Sequence, residues 1–191
     1  VSTNWFDKRN WNNNEVPAKE DDIKIPAGCP RYPIITTGTA YCREMEIQTG
    51  GTLSMTGGTL NVYGEITATN ANMFDLDGGT MVLFHGSAFP DNMIFYNLTL
   101  IALNNDLSDN TYELINDGVS VIGNLVLKGS PTGTDKFVPY IKLVEEQYLN
   151  LYKNLTIYQG HIGMPSDILP LSDNTKLASL VFNNLSTQTV K

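Results

Sequence analysis

The sequence is poor in the residues that usually organise small sites. It has two cysteines, two histidines and three arginines among 191 residues. Neither Cys29 nor Cys42 lies in a Cys-x-x-Cys pair or beside a histidine, which argues against a zinc site or a redox dithiol. Positive charge is also scarce. Twelve Lys and Arg stand against twenty Asp and Glu, a net −8, so the charge needed to neutralise a phosphate backbone is missing and nucleic acid is excluded as a natural partner. No apolar run approaches the roughly 20 residues that span a bilayer, which excludes a transmembrane helix. Long stretches of Ala, Leu, Glu and Lys at helical spacing are missing too; the one plausible helical turn is Val144–Leu149. There is no phosphate-binding glycine loop and no Gly-x-Ser-x-Gly.

What the chain has instead is Asn, Thr and Gly, 20, 19 and 16 of them, a strand-and-turn composition. Short alternating segments recur, among them Ile23-Lys24-Ile25, Met45-Glu46-Ile47, Leu53-Ser54-Met55, Leu60-Asn61-Val62 and Ile141-Lys142-Leu143. Period two between Gly, Asn or Pro punctuation predicts strands, and the chain reads as all-β. Its length and 17% charged residues suit one compact domain with a sizeable core.

The segments also resemble one another. Gly50-Gly51-Thr52-Leu53, Gly57-Gly58-Thr59-Leu60 and Gly78-Gly79-Thr80-Met81 repeat in the first half. In the second half Asn97-Leu98-Thr99-Leu100, Asn124-Leu125-Val126-Leu127, Asn154-Leu155-Thr156-Ile157 and Asn184-Leu185-Ser186 follow at spacings of 27, 30 and 30. A near-constant period in this range predicts a solenoid in which each coil buries its apolar face against its neighbours. The architecture expected is a single-stranded, right-handed parallel β-helix of about six or seven coils. Each repeat Asn has an apolar residue two before it (Phe95, Ile122, Tyr152, Phe182) and Leu directly after. These positions have opposite parity, so the chain must turn a corner at the Asn. Stacked corners predict a ladder of Asn97, Asn124, Asn154 and Asn184 with buried, mutually bonded amides. The alternative is glycosylation, since three of the four match the acceptor sequon; Asn124 does not but keeps the repeat, which favours structure.

The regions divide into an N-terminal cap over 1–22, regular coils over 23–130 and less regular coils over 131–191. Both tryptophans, Trp5 and Trp11, precede the first coil, where two large rings can cover an open solenoid end; a sugar-stacking platform is the other reading. Cys29 and Cys42 are either a disulfide across one loop or two inert thiols. No cap is evident after Leu185 and the first residue is Val1 rather than Met, so a module of a longer chain is expected.

Trp5, Asn10-Trp11, Pro17, Asp22–Gly28, Cys42, Met45-Glu46-Ile47, Gly50–Leu53 and the Gly64 turn resemble the start of β-helical regions in large Bacteroidota-type, adhesin-like surface and secreted proteins. Gly79–Gly86, Phe95–Thr99 and Val121–Leu125 are similar to the same proteins' repeats. The Trp, Pro and Ile-x-Ile opening resembles, more loosely, the eight-glycine ectodomain family. What the resemblance implies is a secreted or cell-surface β-helix acting as a stalk, an adhesin segment or a glycan-contacting surface. Its partners would be glycans or another surface protein. It carries no catalytic residue onto this chain.

Parallel β-helices also host polysaccharide lyases and hydrolases, so a carbohydrate-binding or carbohydrate-active module is the alternative. Asp75 and Asp77 share one strand face, Gly160-His161-Ile162-Gly163 and Asn104-Asn105-Asp106 loosely match polygalacturonase motifs, and no Asp-Asp pair lies between them. No catalytic, cofactor or metal residue is assigned. Calcium is conceivable at Asp106, Asp109 and Asp117, where a solvated acidic loop is the plainer reading. Tyr140, Tyr148 and Tyr158 are weak candidates for a ligand surface.

Overall fold

The alternation seen in sequence becomes alternation in burial: Ile23 and Ile25 are buried with Lys24 exposed between them, and Met45 and Ile47 flank the half-buried Glu46. The structure is a computed structural model that describes residues 2–102, 111–114, 118–129, 139–142, 148–158, 161–163, 179–182 and 189–190. Apart from two 3-10 turns, Lys8–Asn10 and Ala71–Met73, its regular elements are strands. In chain order they are β1 (Ile23–Ile25), β2 (Ile34–Ile35), β3 (Thr39–Cys42), β4 (Met45–Ile47), β5 (Leu53–Val62), β6 (Ile66–Thr67), β7 (Phe74–Leu83), β8 (Ala88–Phe89) and β9 (Met93–Phe95). They continue with β10 (Asn97–Ile101), β11 (Thr111–Leu114), β12 (Gly118–Val121), β13 (Leu125–Lys128), β14 (Tyr140–Lys142), β15 (Tyr148–Leu151), β16 (Leu155–Ile157), β17 (His161–Gly163), β18 (Ser179–Phe182) and β19 (Thr189–Val190).

The fold is all-β and every strand pairing among the described residues is parallel. One sheet runs β2-β5-β7-β10-β13-β16-β19, with β3 also on β5; the others run β1-β4-β6, β8-β11-β14-β17 and β9-β12-β15-β18. From β8 onward each strand therefore pairs with the strand three places later in the chain. Parallel neighbours need a long connection, and here each connection contains strands of the other sheets. The registers step in short intervals at first, Ala40 to Leu60 and Leu60 to Met81, then lengthen to Leu98–Leu125 and Leu125–Leu155.

Corners in the first half are made by glycine pairs inside long strands. Gly79 has φ +79°, and a Cβ there would stand 2.5 Å from the Gly57 carbonyl oxygen of the strand beneath, so the conformation and the space both require glycine. The register of β5 on β7 shifts at this bend.

The core is a column of inward residues from all the sheets, with Leu60, Met81, Leu98 and Leu125 aligned rung on rung. Four apolar residues of the repeated segments lie partly outside it. Phe84, Ile122 and Ile157 are half-buried, Phe84 stacking on Tyr63 at 4.3 Å between ring centroids, and Tyr152 is 36% exposed. For Tyr152 the cause lies in the corner. Phe95 is in register with Val121, and Val121 with Leu151, so the later corners hold two residues, Ile122-Gly123 and Tyr152-Lys153, where the first holds only Tyr96. The extra residue turns Tyr152 outward. The side chain of Phe182, and Leu185 altogether, lie outside the described residues.

At the N-terminal end residues 3–5 lie along the outer edge of β2: Trp5 N–H donates to Ile34 O at 3.1 Å and Ile34 N–H to Thr3 O at 2.6 Å. Trp5 is fully buried there, and its indole N–H has no partner among the described residues.

Candidate functional site

A concavity lies at this end, lined by two loops and by β1. The first loop is ordered by short-range polar bonds. Asp7 caps the Lys8–Asn10 turn, accepting from Arg9 N–H at 3.1 Å, while its carboxylate takes Arg9 Nε and Nη2 at 2.8 and 2.7 Å and Ser2 Oγ at 2.9 Å. The Arg9 bonds hold the Asp7 carboxyl well below the usual carboxylate range. Asn10 ties both flanks, accepting from Ser2 N–H at 3.0 Å and donating to Asn4 O at 2.6 Å. Trp11 is thereby set on Trp5, edge to face with centroids 4.9 Å apart, its indole N–H donating to Trp5 O at 2.9 Å. The second loop runs from Pro26 to Pro33 and is pinned by Tyr32, whose hydroxyl donates to Gly50 O at 2.7 Å.

Between them is a cleft of about 500 Å³. Trp11 and Tyr32, both half-buried, and prolines 26, 30 and 33 supply apolar walls, and Asn12, Asn13 and Glu15 supply polar groups. Three of its charged residues, Asp21, Asp22 and Lys24, have structural partners. Lys24 pairs with Glu46 at 2.8 Å and, through that bond, lowers the Glu46 carboxyl; Asp22 pairs with Arg43, which lowers the acid and raises the guanidinium. Asp21 accepts the Ala18 N–H at 2.8 Å. An arrangement of fixed ion pairs and apolar walls suits binding.

The sequence-predicted residues fall elsewhere. The ladder runs along the outside of the corner. Asn97 Nδ2 donates to Gly79 O at 2.9 Å, Asn124 Nδ2 to Asn97 Oδ1 at 3.2 Å, and Asn154 Nδ2 to Asn124 Oδ1 at 2.8 Å. The bonding is as expected, but Asn97 is half-buried and Asn124 and Asn154 are exposed, which corrects the expectation of buried amides. The Leu after each Asn takes the interior instead. Asn184 lies outside the described residues.

Cys29 and Cys42 are both free thiols, so the bridge offered as one alternative is not formed. Strand alternation turns Cys42 into the core opposite Val62, where burial pushes its thiol up to about 12, while Cys29 lies on the loop after β1 and lines the cleft. Tyr140 and Tyr148 belong to strands of different sheets, β14 and β15, and Tyr158 to the turn after β16. Tyr148 donates to Asn92 Oδ1 at 2.7 Å, and Tyr158 is 56% exposed with Lys128 Nζ 6.0 Å from its ring centre. Asp75 and Asp77 are exposed on β7, and His85 Nδ1 lies 2.7 Å from Gly86 O. Asp106, Asp109 and Asp117, the conceivable calcium ligands, are outside the described residues; among those described no His, Cys, Asp and Glu side chains cluster as metal ligands.

Sequence reading missed the cleft as a site. One signal was there: four of the nine prolines, Pro17, Pro26, Pro30 and Pro33, fall within a single stretch that also holds Tyr32 and brackets the short Ile23-Lys24-Ile25 strand.

Fold and cleft together define an all-β protein of parallel sheets with a concavity at its N-terminal end. It belongs to the family described as Domain of unknown function (DUF8693), whose match covers residues 1–114 and so contains the whole cleft. No curated protein and no solved structure matches the chain. No helix among the described residues is long and apolar enough to cross a membrane.

Proposed function

We propose that the chain is a right-handed parallel β-helix serving as a non-catalytic module that extends, presents or adheres at a cell surface or in a secreted protein. The observation that carries this reading is the interleaving of the strands, each of which from β8 onward pairs in parallel with the third strand after it. That order follows if three strands make one coil and each coil stacks on the last, about 4.8 Å away. The aligned interior column and the Asn97–Asn124–Asn154 ladder support it, since both require equivalent positions to recur once per coil. An acidic, rigid, rod-like body with its bonding satisfied coil to coil suits spacing and display. Its extracellular placement rests on the resemblance to surface and secreted β-helical regions.

Small-angle scattering from the purified chain tests the shape. A rod with a cross-section near one coil is expected; a globular profile removes the reading. A glycan array and a screen of anionic polysaccharides with and without Ca²⁺ test the role. Release of unsaturated or reducing products would replace it with an enzyme, and saturable sugar binding without turnover would favour the carbohydrate-binding alternative.

A further inference from the structure

Within the cleft, β1 is an unpaired sheet edge. Its inner edge is spoken for: Arg43 N–H donates to Asp21 O at 2.7 Å, Ile23 N–H to Glu44 O at 2.9 Å, and Gln48 N–H to Ile25 O at 3.0 Å. Residues 21, 23 and 25 thus direct their backbone groups to the β4 side. In an extended strand the intervening residues point theirs the opposite way, so the N–H and C=O of Asp22 and Lys24 face outward. β1 ends its sheet among the described residues. The cleft is lined by the inward Ile23 and Ile25 and by the outward Lys24 alike, so it follows the strand's edge rather than either of its faces. Pro26, the next residue of outward parity, has no N–H to satisfy and closes the row.

We propose that this edge takes up an extended peptide of a protein partner as an added parallel strand, with an acidic residue between two apolar ones. The main-chain groups of Asp22 and Lys24 supply its hydrogen bonds. Trp11 and Tyr32, half-buried on the two walls, supply apolar surface for its alternate side chains. The acidic residue is specified by Lys24. On the paired side Lys24 already meets Glu46 at 2.8 Å, and a strand on the open side sets its middle side chain at the same inter-strand spacing. The proposal does not rest on the β-helix reading, because it needs only the edge of β1 and its two walls.

The probe is a fluorescein-labelled peptide with the sequence of residues 43–49, Arg-Glu-Met-Glu-Ile-Gln-Thr, which carries the pattern β1 already accepts from β4. Fluorescence polarisation against the full chain is expected to show saturable binding. N-methylation of alternate peptide amides, in the parity that faces β1, should weaken it about tenfold or more, as loss of main-chain hydrogen bonds does. Lys24→Pro removes one outward N–H while leaving the main-chain bonds to β4 in place, and should give a loss at least as large, since it also removes the Lys24 ammonium; Lys24→Gln, which removes only that ammonium, should cost about threefold and abolish most of the salt dependence. Should Lys24→Pro fail to fold, the N-methylated peptide applies the same test from the ligand side. Absence of saturable binding, or equal binding of the N-methylated peptide, overturns the proposal. Quenching of tryptophan fluorescence by neutral oligosaccharides with no response to the peptide overturns it as well and assigns the cleft to sugars.

Discussion

The side-chain oxygen of Asn97 accepts two hydrogen bonds from Asn124, one from its backbone N–H at 2.9 Å and one from its Nδ2 at 3.2 Å. A single amide oxygen thus fixes both the backbone and the side chain of the next rung. Asn124 in turn accepts from Asn154 at 2.8 Å, so it is the middle member of the described ladder.

Asn124→Ala removes two of these bonds at an exposed site and should destabilise by about 1 kcal/mol. Asn124→Asp keeps an acceptor for Asn154 but sets a carboxylate oxygen against Asn97 Oδ1. At pH 7 it should cost about 1 kcal/mol more than alanine, and the excess should vanish below about pH 4 as the acid protonates and regains a donor. Urea midpoints of both variants against the parent decide this; unchanged midpoints would remove the ladder as a stabilising feature.

Gly79→Ala should be the more damaging change although it adds only a methyl group. It combines a left-handed φ of +79° with a Cβ 2.5 Å from the Gly57 carbonyl, and neighbouring backbone cannot yield as a flexible side chain can. A loss of about 2 kcal/mol or more is expected. Gly28→Ala has a similar φ, +72°, with nothing within 4 Å of the added carbon, and should cost only the conformational part, about 1 to 2 kcal/mol. Thermal unfolding of the two separates strain from collision.

Thiol labelling separates the cysteines. Burial holds the Cys42 thiol up near 12, so its thiolate is essentially absent at pH 8 and it should react only after denaturation. Cys29, half-buried on the cleft wall, should label in the native protein. Two labels are expected in urea without reductant, and none would indicate a bridge.

Stability should fall in acid for an identifiable reason. Arg9, Arg43 and Lys24 lower the carboxyls of Asp7, Asp22 and Glu46 in the folded chain. With the folded values depressed, the unfolded chain binds more protons, so this contribution is complete above the ordinary carboxylate range and is lost as pH falls through it and below. Denaturant midpoints should hold steady from pH 7 to about 5 and decline below about 4. Asp22→Asn should flatten part of that decline, and an unaltered slope would show the Asp22–Arg43 pair to be silent.

Much of the register was legible in the chain itself. The spacings between Asn97, Asn124 and Asn154 are the spacings at which β10, β13 and β16 pair, because a side chain that must meet its copy on the next strand has to recur once per strand pairing. The alternation of Ile23-Lys24-Ile25 and Met45-Glu46-Ile47 likewise determined which residues are inside, through the two-residue period of a strand. Tertiary structure alone decided the rest. One additional corner residue turned Tyr152 to solvent, strand parity carried Cys42 into the core while Cys29 stayed on a loop, and Tyr148 and Tyr158 fell on a strand of one sheet and on the turn after a strand of another. The cleft belongs to this second class. Trp11 and Tyr32 are 21 residues apart without a shared period, and they line one cleft only because Asp7, Asn10 and the Tyr32–Gly50 bond order two irregular loops beside β1. Repeating contacts leave a periodic trace in sequence; a contact made once does not.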